Sequence, residues 1–245
     1  MGVTHHGRTY RLDLADPSLR EWTCTVLSSD PEQGIVLDRS AFYPGGGGQP
    51  PDHGVLLWQG VQTRIVGTRK GDDLYLLPAD GDPVPPAGTE VTGAVEDNRR
   101  TLLMRTHSGL HVLCGVVFRD FGALVTGGNM EPGEARMDFN LPEVPPDFKA
   151  RLEELVNTEV AADRPIEVRV VLRDEALAIP DIIRTASNLI PPEEKEIRIV
   201  DITGLDVQAD GGTHVAATAQ IGRLQVVKVE SKGKANRRVR VRIAD

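Results

Sequence analysis

The strongest constraint on this fold is a change of hydrophobic period close to residue 96. Upstream, short apolar runs at residues 8–12, 23–28, 34–37, 54–57, 63–66, 74–77 and 90–95 are separated by turn formers such as Gly71-Asp72-Asp73 and Gly81-Asp82-Pro83. Frequent short strands with no helical period predict a small β-barrel, with residues 78–88, rich in Pro, Gly and Asp, as a long loop within it or at its end. Downstream, Leu103, Leu110, Leu113 and Val117 recur at helical spacing after the acidic start Glu96-Asp97, which predicts a helix of about two dozen residues. A second helix is expected over residues 146–162, with Phe148, Leu152, Leu155 and Val160 on one side and Glu153, Glu154 and Glu159 exposed. Strands are expected at 166–172, 197–202, 224–230 and 238–243, the last two joined through Ser231-Lys232-Gly233-Lys234. The reading is therefore α+β in two domains: a small β-barrel with a glycine-rich loop over residues 1–95, and an α+β domain over 96–245.

Composition narrows the function. At 245 residues and 40% hydrophobic content the chain can bury two small cores. No apolar run approaches the roughly 18 residues of a membrane span, and MGVTHHGRTYRLDL lacks the apolar centre of a signal peptide, so no membrane role is expected and the default location is the cytoplasm. Two cysteines, Cys24 and Cys114, are too few for a disulfide framework, so any metal site must rest on His and carboxylates. The net charge of -8 argues against a protein that coats nucleic acid. Charge is unevenly spread, however: from Arg223 to Arg242 the chain carries Lys228, Lys232, Lys234, Arg237, Arg238 and Arg240 against Glu230 alone.

His107 and His111 are four apart on the predicted helix and project from one face, near enough to share an ion. With six histidines in the chain such a pair arises by chance in roughly one chain in ten. Asp210-Gly211-Gly212-Thr213-His214 supplies a second pair four apart, with two glycines that permit a tight path between the ligands. Three imidazoles and one carboxylate suit zinc and leave manganese, iron and cobalt open. Cys114 sits too far along the helix to join His107 and His111 and reads as a core thiol. A zinc-protease helix needs Glu directly after its first His, and here Ser108 stands there.

Between predicted strands, the run Gly45-Gly46-Gly47-Gly48 leaves backbone N–H groups open to a ligand. It contains no P-loop lysine and precedes no helix, so neither a nucleoside triphosphate nor a dinucleotide cofactor is expected.

Taken in order, FYPGGGGQPPDHG, RTHSGLHVL and QADGGTHVAATAQIG resemble the editing domain of alanyl-tRNA synthetase and its freestanding relatives, the AlaX-type editing proteins. The resemblance spans nearly the whole chain and continues through Ala178-Ile179-Pro180-Asp181, Val200-Asp201-Ile202-Thr203-Gly204 and the segment from Lys232 to Arg238. It implies a small barrel followed by an α+β domain like those of alanyl- and threonyl-tRNA synthetases, with zinc in the cleft between the motifs. The implied ligands are His107, His111, Asp210 and His214. The implied activity is trans-editing: hydrolysis of the ester of mischarged tRNA(Ala), carrying serine or glycine, since no aminoacylation core fits in the remaining length. A pocket that accepts alanine discriminates weakly against one added hydroxyl, which is why a second, hydrolytic sieve is needed.

Within that resemblance Ser40, Gly46, Gly47, Gly48 and Gln49 are expected at the substrate amino acid, and Gln49 and Thr213 join the histidines in the catalytic site. Lys232, Lys234, Arg237 and Arg238 are expected on tRNA phosphates. Two departures stand out. Asp210 replaces the usual cysteine ligand, and Ser40 and Gly45 replace a common threonine and acidic residue. A tRNA-binding module that kept the fold without hydrolysis, and a metal-dependent hydrolase of small esters, are the other two readings. Serine against glycine, carbonyl polarisation against water activation, and oligomeric state stay open.

Overall fold

The computed structural model describes residues 5–187, 190, 192 and 194–244. It divides into two compact units, Met1–Thr101 and Leu102–Asp245.

The first unit opens with two short strands, β1 (His5–His6) and β2 (Thr9–Arg11), and a single helical turn, α1 (Leu12–Ala15). β3 (Glu21–Asp30) and β4 (Gly34–Leu37) follow, then β5 (Arg39–Ser40), β6 (Gly54–Trp58), β7 (Val61–Lys70), β8 (Leu74–Pro78) and β9 (Glu90–Val95). Six of these close into a barrel in the order β3-β4-β8-β7-β6-β9. Its two long strands turn the corners. β3 pairs with β9 through its first half and with β4 through its second, its register shifting between Val26 and Ser28. β7 does the same between β6 and β8, shifting between Ile65 and Gly67. An extra residue at each shift bends the strand and sharpens its twist, which lets so few strands close. Trp22, Val26, Ile35, Leu37, Leu56, Ile65 and Leu76 fill the interior.

In the second unit, α2 (Asp97–Phe121), whose first turns belong to the barrel unit, packs Leu103, Leu110, Leu113 and Val117 into the main core. Beyond it come the hairpin β10 (Val125–Glu131) and β11 (Glu134–Phe139), then α3 (Phe148–Ala161), β12 (Ile166–Leu172) and the short α4 (Arg173–Leu177). β13 (Glu196–Ile202), β14 (Asp206–Ala209), β15 (Arg223–Ser231) and β16 (Arg237–Ala244) complete the chain. Two antiparallel sheets result, β10-β11-β16-β15 and β12-β13-β14. One expectation fails here. Glu159 on α3 is buried, because Arg119 and Arg164 both donate to its carboxylate, and they hold its pKa below the ordinary value against the opposing effect of burial. Among the described residues no helix is long and apolar enough to cross a membrane.

Candidate metal centre

Helix α2 sets the first pair of candidate ligands. Residues four apart stand one turn apart on the same face, and the ring centroids of His107 and His111 lie 5.1 Å from each other. The second pair comes from the loop after β14, where the Gly212 N–H donates to Asp210 Oδ2 at 2.6 Å and closes a tight turn. That turn folds His214 back, so its ring lies 4.5 Å from that of His107 and 4.7 Å from that of His111. All three Nε2 atoms approach one carboxylate: His107 at 3.5 Å and His111 at 3.9 Å from Asp210 Oδ1, and His214 at 3.0 Å from Oδ2. One ligand atom from each of the four residues lies within 4.8 Å of every other.

The donor set fits a divalent cation. Metal–nitrogen and metal–oxygen bonds of about 2.0–2.2 Å arranged tetrahedrally put ligand atoms roughly 3.3–3.6 Å apart, and the observed 3.0, 3.5 and 3.9 Å bracket that spacing. Burial pushes the pKa of each imidazole down, that of His214 well below its ordinary value, which favours the neutral ring with a lone pair to offer, while Asp210 opposes the shift. Burial opposes ionisation of Asp210, while the positive charge that a proton on His107 would bring, and then a hydrogen bond from His214, favour it and hold its carboxyl well below the usual range. Three neutral nitrogens and one carboxylate on a common point are a metal-binding set.

The side chains behind the ligands were not legible from spacing. Ser108, which only argued against a protease, has its Oγ 3.1 Å from His214 Nδ1 and accepts the Val215 N–H at 3.2 Å. If His214 carries its proton on Nδ1 and donates to Ser108, its Nε2 lone pair faces Asp210; a bound cation selects that tautomer. Asp206 stands behind His111, with Oδ2 3.8 Å from a buried Nδ1 that has no hydrogen-bond partner among the described residues. Asp206 is wholly buried, accepts from Arg184 Nε at 2.9 Å and from Gln208, and reaches the helix because residue 115 is glycine. A Cβ on Gly115 would lie 2.9 Å from that of Asp206. Arg198 Nη1 donates to the Asp210 backbone carbonyl at 3.0 Å. Cys114 is buried in the main core, its thiol pushed up by burial, and is not among the clustered ligands.

The other expected site residues distribute as follows. Thr213 is buried beside His214. In the barrel unit, Ser40 is buried and its Oγ accepts the Phe42 N–H at 3.1 Å. Gly46, Gly47 and Gly48 form an exposed turn with φ of 134°, 58° and 89°, closed by reciprocal backbone bonds of 3.0 Å between Gly46 and the buried Gln49. Lys232 and Lys234 are exposed at the β15–β16 turn. Arg237 and Arg238 are engaged within the protein: Arg238 pairs with Asp138 through two bonds of 2.7 Å, and Arg237 donates to backbone carbonyls including that of Pro142.

Residues 197–240 match the family described as threonyl and alanyl tRNA synthetase second additional domain. That match places the chain among proteins that carry this synthetase-associated domain. Over 236 residues it is 36% identical to the alanyl-tRNA editing protein AlaX-M of Saccharolobus solfataricus, covering 94% of this chain and 97% of that protein. Over 242 residues it is 34% identical to the AlaX-M protein of Methanosarcina barkeri, covering 97% of this chain and all of the relative. The alanine–tRNA ligase of Pyrobaculum neutrophilum is 36% identical over 230 residues, which are 91% of this chain but 25% of the ligase. The chain belongs to the AlaX-type alanyl-tRNA editing protein family.

Proposed function

We propose that this protein is a trans-editing deacylase that hydrolyses the ester of mischarged tRNA(Ala), with Ser-tRNA(Ala) and Gly-tRNA(Ala) as substrates, in the cytoplasm. The observation that carries this reading is the convergence of the buried His107, His111 and His214 on the partly buried Asp210, in a chain that aligns over 94–97% of its length with editing proteins.

Those four residues would hold one Zn2+ ion. When bound, such an ion supplies a Lewis acid to the ester carbonyl or a water of lowered pKa. The protein's own groups do the rest. Ser108 orients His214, as hydrogen-bonded partners of ligand imidazoles commonly do, and the Asp206 carboxylate stands 3.8 Å behind His111. The Ser40 hydroxyl, fixed by Phe42, keeps its proton for the hydroxyl or amino group of the mischarged residue, with Gln49 and the Gly46–Gly48 turn beside it in sequence. Thr213, buried next to His214 in sequence, joins the catalytic site. Aminoacyl esters are labile, so holding one in place supplies much of the rate, and no side chain need act as a dedicated general base. Lys232 and Lys234, exposed at the hairpin turn and without an ion pair among the described residues, are better candidates for tRNA phosphates than Arg237 and Arg238.

The test is to incubate wild-type and His107→Ala protein with Ser-, Gly- and Ala-tRNA(Ala). Rapid loss of the seryl ester with wild type, slow loss with the variant and survival of the alanyl ester are expected. If the seryl ester lasts as long as in buffer, the reading is wrong.

A further inference from the structure

The glycine turn is more firmly built than a flexible connection requires. Thr68 Oγ1 donates to Pro44 O at 2.7 Å, Tyr43 Oη donates to Gly46 O at 3.0 Å, and the Gly46 and Gln49 backbones bond to each other. These bonds use the N–H groups of Gly46 and Gln49 and leave those of Gly47 and Gly48 at the exposed tip with no acceptor among the described residues. Two residues beyond Thr68 on β7, Lys70 lies over the turn, its Nζ 2.9 Å from where a Cβ on Gly46 would sit. Among the described residues the Lys70 ammonium has no hydrogen-bond or ion-pair partner.

The charges nearby do not balance. Asp13 is paired with Arg11, Nε to Oδ1 at 2.7 Å, and Asp52 with Arg100, and Asp13 feels the charges of Arg11, Arg100 and Asp52. Each carboxylate is matched by a guanidinium, so Lys70 is a surplus cation. Burial, and then Arg11, push its pKa below the ordinary value, with Asp13 opposing. A surplus ammonium beside two open backbone N–H groups is the chemistry of an anion site.

We propose that Lys70 and the N–H groups of Gly47 and Gly48 bind a phosphate group, and that this phosphate is a backbone phosphodiester near the acceptor end of the charged tRNA. The assignment rests on the deacylase reading, and its test separates the two. Wild type, Lys70→Ala and Lys70→Gln are compared on a seryl minihelix and on seryl-adenosine, which carries the ester without a phosphate. Both variants are expected to raise KM for the minihelix roughly three- to five-fold with kcat kept, to lower the dependence of log KM on log salt by about 0.7, and to affect seryl-adenosine far less. Inorganic phosphate is titrated in parallel and read at the Gly46–Gly48 amide resonances, which should shift in wild type and not in Lys70→Ala. Equal effects on both substrates, or none on the minihelix, would overturn the proposal while leaving the deacylase intact. Amide shifts with phosphate but an unchanged KM would also overturn it, by marking a site for free phosphate. Hydrolysis of neither substrate by wild type would instead defeat the deacylase reading.

Discussion

Asp52 and Asp210 are both sequestered carboxylates, and their neighbours set them apart. Asp52 meets a fully buried guanidinium, Arg100, whose remaining N–H groups donate to Ala41 O at 2.6 Å and Pro17 O at 2.8 Å. It also accepts the Tyr43 N–H at 2.7 Å, so each charge is met by a partner of the opposite kind and the cluster is finished. Asp210 instead faces three neutral imidazoles whose Nε2 atoms stand 3.0–3.9 Å away. With each ring's proton on Nδ1, these nitrogens and the carboxylate offer lone pairs to the same point. A cluster with matched donors and acceptors serves the fold, whereas one with an excess of acceptors calls for a cation.

The contrast can be broken by substitution. Arg100→Met strands Asp52 without its counter-charge and should cost about 3–5 kcal/mol of stability, read as a lower urea midpoint. His107→Ala should leave the urea midpoint nearer wild type while kcat/KM on Ser-tRNA(Ala) falls on the order of 100-fold or more. Asp206→Asn removes the carboxylate behind His111, and metal affinity, measured by competition with a chromophoric chelator, should fall about 10- to 100-fold.

Acid should act on the histidine cluster in a defined direction. Burial holds the pKa values of His107, His111 and His214 below 6.5 in the fold, whereas an unfolded histidine takes up its proton near 6.5. Their contribution to stability is therefore present above that value and is lost as pH falls through the lower folded values. Bound metal should be lost in the same direction, since protons compete for the same lone pairs. Urea midpoints and metal content between about pH 7.5 and 5 should both decline, and the decline in midpoint should be shallower in His107→Ala. The smallest effect is expected from Lys232→Ala with Lys234→Ala, a rise in KM for charged tRNA of a few-fold that fades at high salt.

Much of this was legible in the chain. Short strands between turn formers announced the barrel, and the helical recurrence of Leu103, Leu110, Leu113 and Val117 announced α2, because period reports which face is buried. The β10–β11 hairpin escaped notice since Thr126-Gly127-Gly128-Asn129 breaks any clean alternation. Glu159 was misread because helical spacing shows which side of α3 faces the core, not which distant arginines come to meet it. The four candidate ligands could be found because each pair is local, four residues apart. Ser108, Asp206 and Arg198 could not, since their roles depend on contacts between elements far apart in sequence. Gly115, one turn beyond His111, was the one local sign that something approaches the helix closely there.

The central claim is that the four-residue cluster holds a metal that deacylation needs. The direct measurement is the rate of Ser-tRNA(Ala) hydrolysis by protein stripped of metal with a chelator, then by the same sample after addition of Zn2+, with bound metal quantified at each stage. Loss of activity on stripping, recovery near one zinc per chain and no recovery in His107→Ala are the expected results. Full activity in protein shown to be metal-free would contradict the claim.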